Sequence, residues 1–158
     1  MDTIEDKVVS FLKEKNMTVT TAESCTAGLL AGQIMNVSGA SAVFGEGYIT
    51  YANVAKEKLV GVSHDTLVRF GAVSEETACE MAIGAARAAG TDAALSVTGI
   101  AGPTGGSDKK PVGLVYIGCC VCGKVVVKEY HFNGSRNENR KAAAQEALQL
   151  LFEKLKEI

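Results

Sequence analysis

Three stretches of this chain combine residue types that do chemistry. Thr20-Thr21-Ala22-Glu23-Ser24-Cys25-Thr26-Ala27-Gly28 follows a short β-branched run and precedes an apolar helical pattern, so Ser24 falls at a strand-to-helix junction. A hydroxyl there faces the free N–H groups of a helix's first turn, which can hold an oxyanion. The same place equally suits Ser24 or Thr21 as a plain N-cap. Glu23 reads either as a surface charge beside a helix N-terminus or as a hydrogen-bonding group in a pocket, and Cys25 and Thr26 follow the hydroxyl directly.

The second stretch is Gly99-Ile100-Ala101-Gly102-Pro103-Thr104-Gly105-Gly106-Ser107. Its glycines let backbone N–H groups turn toward an anion and let a ligand come close; a tight turn is the plainer reading. No Gly-Lys-Ser/Thr follows, so it is not a P-loop, and Pro103 interrupts the dinucleotide fingerprint. The third stretch, Gly134 to Arg140, puts Arg136 and Arg140 at i, i+4 on one face of a helix start. Two cations there oppose the helix dipole, a conflict that a bound phosphate would relieve; a solvated pair balanced by Glu138 is the alternative. Tyr48, Tyr51 and Lys56 cluster around the end of an intervening strand. Lys56 matters only if it faces Ser24, since a buried lysine sheds its proton readily and can act as a base. Two Ser-x-x-Lys matches, at Ser10 and Ser107, fall on an amphipathic helix and a charged loop and read as chance.

The elements that position these groups alternate. Residues 3–15 carry Ile4, Val8, Phe11 and Leu12 at helical spacing, and Met17 to Thr21 reads as a strand. A helix over Cys25 to Asn36, a strand over Val43 to Tyr51, a short helix over Lys56 to Val60 and a Ser63-capped helix through Phe70 follow. Val73 to Ala89 is a helix with Ser74 as its N-cap and Gly90 as its exit. Asp92 to Thr98 is a strand of small residues; Val112 to Val121 and Val125 to Phe132 form an antiparallel hairpin about Gly123-Lys124. Ser135-Arg-Asn-Glu138 is a capping box opening a last helix that buries Ala143, Ala147, Leu148, Leu151 and Leu155. The pattern predicts one α/β domain over 1–158, a three-layer α/β/α sandwich with a mixed sheet, and ligands at strand carboxyl ends.

Composition narrows the partners. Apolar residues at 47% and charged residues at 22% argue against disorder. Lys+Arg 16 against Asp+Glu 18 leaves no basic excess for nucleic acid. No apolar run is long enough for a membrane span, and the acidic Met-Asp-Thr-Ile-Glu-Asp start is unlike a secretion signal, which points to a soluble, cytoplasmic domain. The five cysteines, Cys25, Cys79, Cys119, Cys120 and Cys122, lack a second pair or a nearby histidine to make a zinc set. They read as small buried hydrophobes, and no metal is expected.

Taken together, Thr21-Ala-Glu-Ser24-Cys-Thr, Gly47-Tyr48-Ile-Thr-Tyr51-Ala-Asn53 with Lys56, Gly71-Ala-Val-Ser74, Gly99-Ile-Ala-Gly-Pro and Lys110-Pro-Val-Gly113 resemble the C-terminal domain of the CinA (competence/damage-inducible) family. The likeness runs in order along nearly the whole chain. It is similar to the standalone form, without the larger molybdopterin-binding-like N-terminal domain. The resemblance implies an α/β/α sandwich similar to anticodon-binding domains, a homodimer or larger assembly, and a nicotinamide-nucleotide amidase. Such an enzyme hydrolyses nicotinamide mononucleotide to nicotinate mononucleotide and ammonia in pyridine-nucleotide salvage. It further implies Ser24 as nucleophile, Lys56 as base, Tyr48 or Tyr51 as a relay, and N–H groups after Ser24 as the oxyanion site. Gly99 to Gly106, Arg136 and Arg140 would hold the ribose phosphate, with no metal or organic cofactor. The family commonly carries Gly-Gly after Ser-Cys-Thr, where this chain has Ala27-Gly28. A non-catalytic nucleotide-binding or regulatory module is the rival function, and a nucleic-acid role is disfavoured by the charge balance.

Overall fold

The structure, a computed structural model, describes residues 2–158. Its centre is a five-stranded sheet in the order β2-β1-β3-β4-β5, formed by β1 (Val19–Glu23), β2 (Tyr48–Ile49), β3 (Ala93–Gly99), β4 (Leu114–Val121) and β5 (Lys124–His131). The strands β2, β1 and β3 run parallel, whereas β3–β4 and β4–β5 are antiparallel. The sheet is therefore mixed, as its alternating connections predict. The helices are α1 (Ile4–Glu14), α2 (Leu29–Met35), α3 (Asn53–Val60), α4 (His64–Phe70), α5 (Glu75–Ala89) and α6 (Arg136–Leu155).

The two-residue period of the strands sorts their side chains between two cores. Val19, Leu95, Val97, Ile117 and Cys119 meet Leu12 of α1, Leu30 and Ile34 of α2, and Leu148 and Leu151 of α6. On the opposite face Ala22, Ala94 and Cys120 meet Val60 of α3, Leu67 of α4, and Met81 and Ala85 of α5. Both layers are present, and the three-layer reading stands. Small residues bring α5 close. Ser96 Oγ donates to the Ala78 carbonyl at 2.6 Å, and Thr98 Oγ1 donates to the Ala72 carbonyl just before the helix at 2.7 Å. At the other side of α5, a Cβ on Gly84 would collide with the Val60 carbonyl at the end of α3.

Several boundaries differ from the sequence reading. The second strand shrinks from 43–51 to Tyr48–Ile49, because Val43 closes a short 3-10 turn and Gly47 packs too tightly for a side chain. A Cβ at Gly47 would lie 2.8 Å from the Phe44 ring and 2.9 Å from Thr21 Oγ1. Helix α2 begins at Leu29, not Cys25, because Ala27 and Gly28 both take positive φ and break the turn. Ser63 stands at the N-cap of α4 without a side-chain cap bond; Glu80 instead accepts from its N–H and from the Thr66 hydroxyl. Cys122 is exposed at the hairpin turn, and Cys79 is only partly buried. Among the described residues, no helix is long and apolar enough to cross a membrane.

Candidate active site

Ser24 leaves the carboxyl end of β1, where its N–H donates to the Val97 carbonyl of β3 at 2.9 Å. Lys56 comes from α3 on the same side of the sheet. It is 1% exposed, and its Nζ lies 3.3 Å from Ser24 Oγ, 2.8 Å from the Thr50 carbonyl and 3.4 Å from the Tyr51 carbonyl. These are three partners for one nitrogen, two of which can only accept. An ammonium can donate to all three, and a neutral amine also fits: two N–H groups serve the carbonyls, and the lone pair faces the serine O–H. Burial holds the Lys56 pKa below the usual lysine value, with only a weaker opposing effect from Cys25. No carboxylate forms an ion pair with Lys56 among the described residues. His64 and His131 are exposed and pair with Glu57 and Glu129, away from Ser24.

Glu23 is neither a surface charge nor a pocket group. Its side chain is 1% exposed and turns to the α2 face. There its carboxylate accepts from the Thr26 hydroxyl at 2.7 Å, the Thr21 hydroxyl at 3.2 Å, and the N–H groups of Gly28, Leu30 and Ala31 at 2.9–3.2 Å. It thus caps α2 from upstream of the break, and it occupies the first-turn donors expected to face an oxyanion. The N–H groups of Cys25 and Thr26, ahead of the helix, have no backbone partner among the described residues. Glu23→Ala is expected to lower stability by about 3–5 kcal/mol by stranding these donors. Urea denaturation reads this, and a loss under about 1 kcal/mol would show that the carboxylate is not the cap. Ala27, the departure from Gly-Gly, sits at φ +48°, a left-handed conformation costing a side chain roughly 1–2 kcal/mol. Its constraint is this backbone angle, since the residue itself is exposed.

A cleft of about 330 Å³ opens in front of the pair. Ser24, Cys25, Tyr51 and Lys56 form one wall; Gly99, Ile100, Ala101, Gly102 and Gly105 form the other, with Arg136 at the rim. Arg136 Nη1 donates to the Gly102 carbonyl at 2.8 Å and Nη2 to the Tyr51 hydroxyl at 3.4 Å, tying the two walls together. Asn139 is 2% exposed and fixes the glycine-rich loop from behind. It donates to the Ala101 carbonyl at 3.0 Å and accepts from the Gly134 N–H at 2.8 Å. A larger groove of about 550 Å³ between α1, α2 and α6 is lined by Glu5, Gln33, Lys141 and Gln145 and holds no nucleophile beside a buried base.

Four expected site residues stand outside the cleft. Glu23 and Thr26 are engaged with each other beneath the loop. Tyr48 lies on β2, partly buried against the apolar cluster that α3, α4 and α5 form with the sheet; only Tyr51, past the end of that strand, reaches the cleft. Arg140 lies behind the Ser24 loop, where Nε donates to the Cys25 carbonyl at 2.9 Å and Nη2 to the Thr26 carbonyl at 3.0 Å. Conversely, Ala72, Val73 and Thr98 line the cleft without having been singled out, and Thr104 joins them from the Gly99–Gly106 loop. Ala72 and Val73 lay inside the Gly71–Ser74 motif, but Thr98 read only as strand. Cys25 is buried, and burial pushes its thiol up to about 11. Among the described residues no three His, Cys, Asp or Glu side chains gather as metal ligands.

The fold and site together describe an α/β/α sandwich that buries a serine–lysine pair at the carboxyl ends of its parallel strands. The chain belongs to the CinA C-terminal domain family, whose model matches residues 1–155. A CinA-like protein of Kosmotoga olearia is 56% identical over 93% of this chain, and a Clostridium novyi relative named for competence-damage induction is 51% identical over 94%. The match spans 36% of each of those relatives, so the chain corresponds to about a third of their length. Among solved structures, the competence/damage inducible protein CihA of Agrobacterium tumefaciens superposes with a TM-score of 0.92 at 42% identity, covering 95% of this chain and 94% of that one. A CinA superfamily protein of Klebsiella pneumoniae superposes with a TM-score of 0.94 at 32% identity, covering 98% and 97%.

Proposed function

We propose that this chain is an amidohydrolase that converts nicotinamide mononucleotide to nicotinate mononucleotide and ammonia. The observation that carries the reading is the buried Lys56 amine 3.3 Å from Ser24 Oγ at the floor of the cleft. Burial that lowers the lysine pKa makes the neutral amine, the form able to take the serine proton, more available. Ser24 Oγ then bonds to the carboxamide carbon while Lys56 accepts its proton. The N–H groups of Cys25 and Thr26, which have no backbone partner among the described residues, would hold the resulting oxyanion. Collapse breaks the C–N bond, Lys56 returns its proton to the nitrogen, and ammonia departs. Water, deprotonated by the same amine, cleaves the acyl ester and restores Ser24. Tyr51 orients the carboxamide, while Arg136 and the backbone N–H groups of the glycine-rich loop supply contacts for the phosphate.

Ammonia release from nicotinamide mononucleotide tests this directly. Turnover that saturates with substrate and yields nicotinate mononucleotide in equal amount supports it. Tight binding of the nucleotide without ammonia would instead make the domain a non-catalytic nucleotide-binding module.

A further inference from the structure

Arg140 carries a charge into a half-buried position with no carboxylate partner among the described residues. Its two observed contacts are both backbone carbonyls, those of Cys25 and Thr26, immediately after the nucleophile. Glu23 holds the same loop from its other polar side, through the Thr26 hydroxyl and the Gly28 N–H. The loop between these two charges has little regular structure of its own: Ala27 N–H closes a turn on the Ser24 carbonyl at 3.1 Å, and Ala27 and Gly28 are left-handed. In a trans peptide the N–H points opposite the C=O. Holding the Cys25 carbonyl on Arg140 therefore turns the Thr26 N–H away from α6.

We infer that Arg140 is a positioning residue that fixes the Ser24 loop from behind, and not a ligand for the substrate's phosphate. This rests on the amidase reading for its kinetic consequence, while its structural consequence stands apart. A lysine has no fork and cannot reproduce both charge-assisted bonds. Arg140→Lys is expected to lower kcat by roughly tenfold or more, with KM changed less than about twofold for nicotinamide mononucleotide and for its phosphate-free riboside alike. Adding guanidinium ion at low concentration to Arg140→Ala should restore part of kcat without altering KM. Hydrogen exchange, which needs no turnover, should quicken at Ala27 and Gly28, the bonded amides of the loop, in Arg140→Lys while α5 stays protected. A wild-type protein without amidase activity would overturn the function but leave this exchange result to decide the positioning role. A large rise in KM for the nucleotide and not for the riboside, or unchanged exchange at Ala27 and Gly28, overturns the inference.

Discussion

Replacing Lys56 by arginine is expected to lower kcat by on the order of 10²–10⁴-fold although the positive charge is kept. Arginine stays protonated throughout the working range and cannot take a proton from Ser24. A lysine that served only by charge would tolerate the exchange. The wild-type rate is also expected to rise with pH, through a midpoint below the ordinary lysine value. The sign follows from burial: it disfavours the ammonium, the folded pKa falls, and loss of the proton creates the base. Lys56→Arg should abolish that rising limb. Near wild-type turnover in Lys56→Arg, in protein shown folded by circular dichroism, would remove lysine from the proton path.

Ser24→Ala is expected to leave less than about one part in 10⁴ of the activity, whereas Cys25→Ser keeps most of it. The two side chains are neighbours on the same wall of the cleft, and a thiol is the better intrinsic nucleophile. Ionisation decides between them. With its pKa pushed up to about 11, Cys25 offers roughly one thiolate in 10⁴ at pH 7. Trapping the acyl-enzyme by rapid acid quench and mapping it by mass spectrometry places the adduct. An adduct on Cys25, or an active Ser24→Ala protein, would make this a thiol amidase.

The sequence exposed what depends on local pattern. Strands of β-branched and small residues running into Ser-Cys-Thr and into a run of glycines marked two walls of the cleft, and the helix-and-strand alternation marked the layers. It concealed what depends on distance across the fold. Tyr48 and Tyr51 look alike in sequence, but the paired strand ends at Ile49, and only the later residue is free to reach the cleft. Arg136 and Arg140 do share a helix face, yet one turn of helix carries the second about 6 Å farther along. That step takes it from the cleft rim to the back of the Ser24 loop. Glu23 caps a helix that begins only after two left-handed residues, an arrangement that N-cap spacing rules do not describe.

Gly84 has a bearing on how the Ser24–Lys56 site could be re-engineered. It touches no part of the cleft, but it sets how near α5 lies to Val60, and Val60 closes the helix that presents Lys56. A methyl group there must push α3 and α5 apart, and any shift of α3 carries the amine with it. A mutant library confined to the cleft lining would never sample this adjustment. Conversely, a screen for faster or slower variants would return hits at position 84 and its contacts that look remote on any map of the pocket. The tolerance on the Lys56–Ser24 distance is set at the back of the molecule.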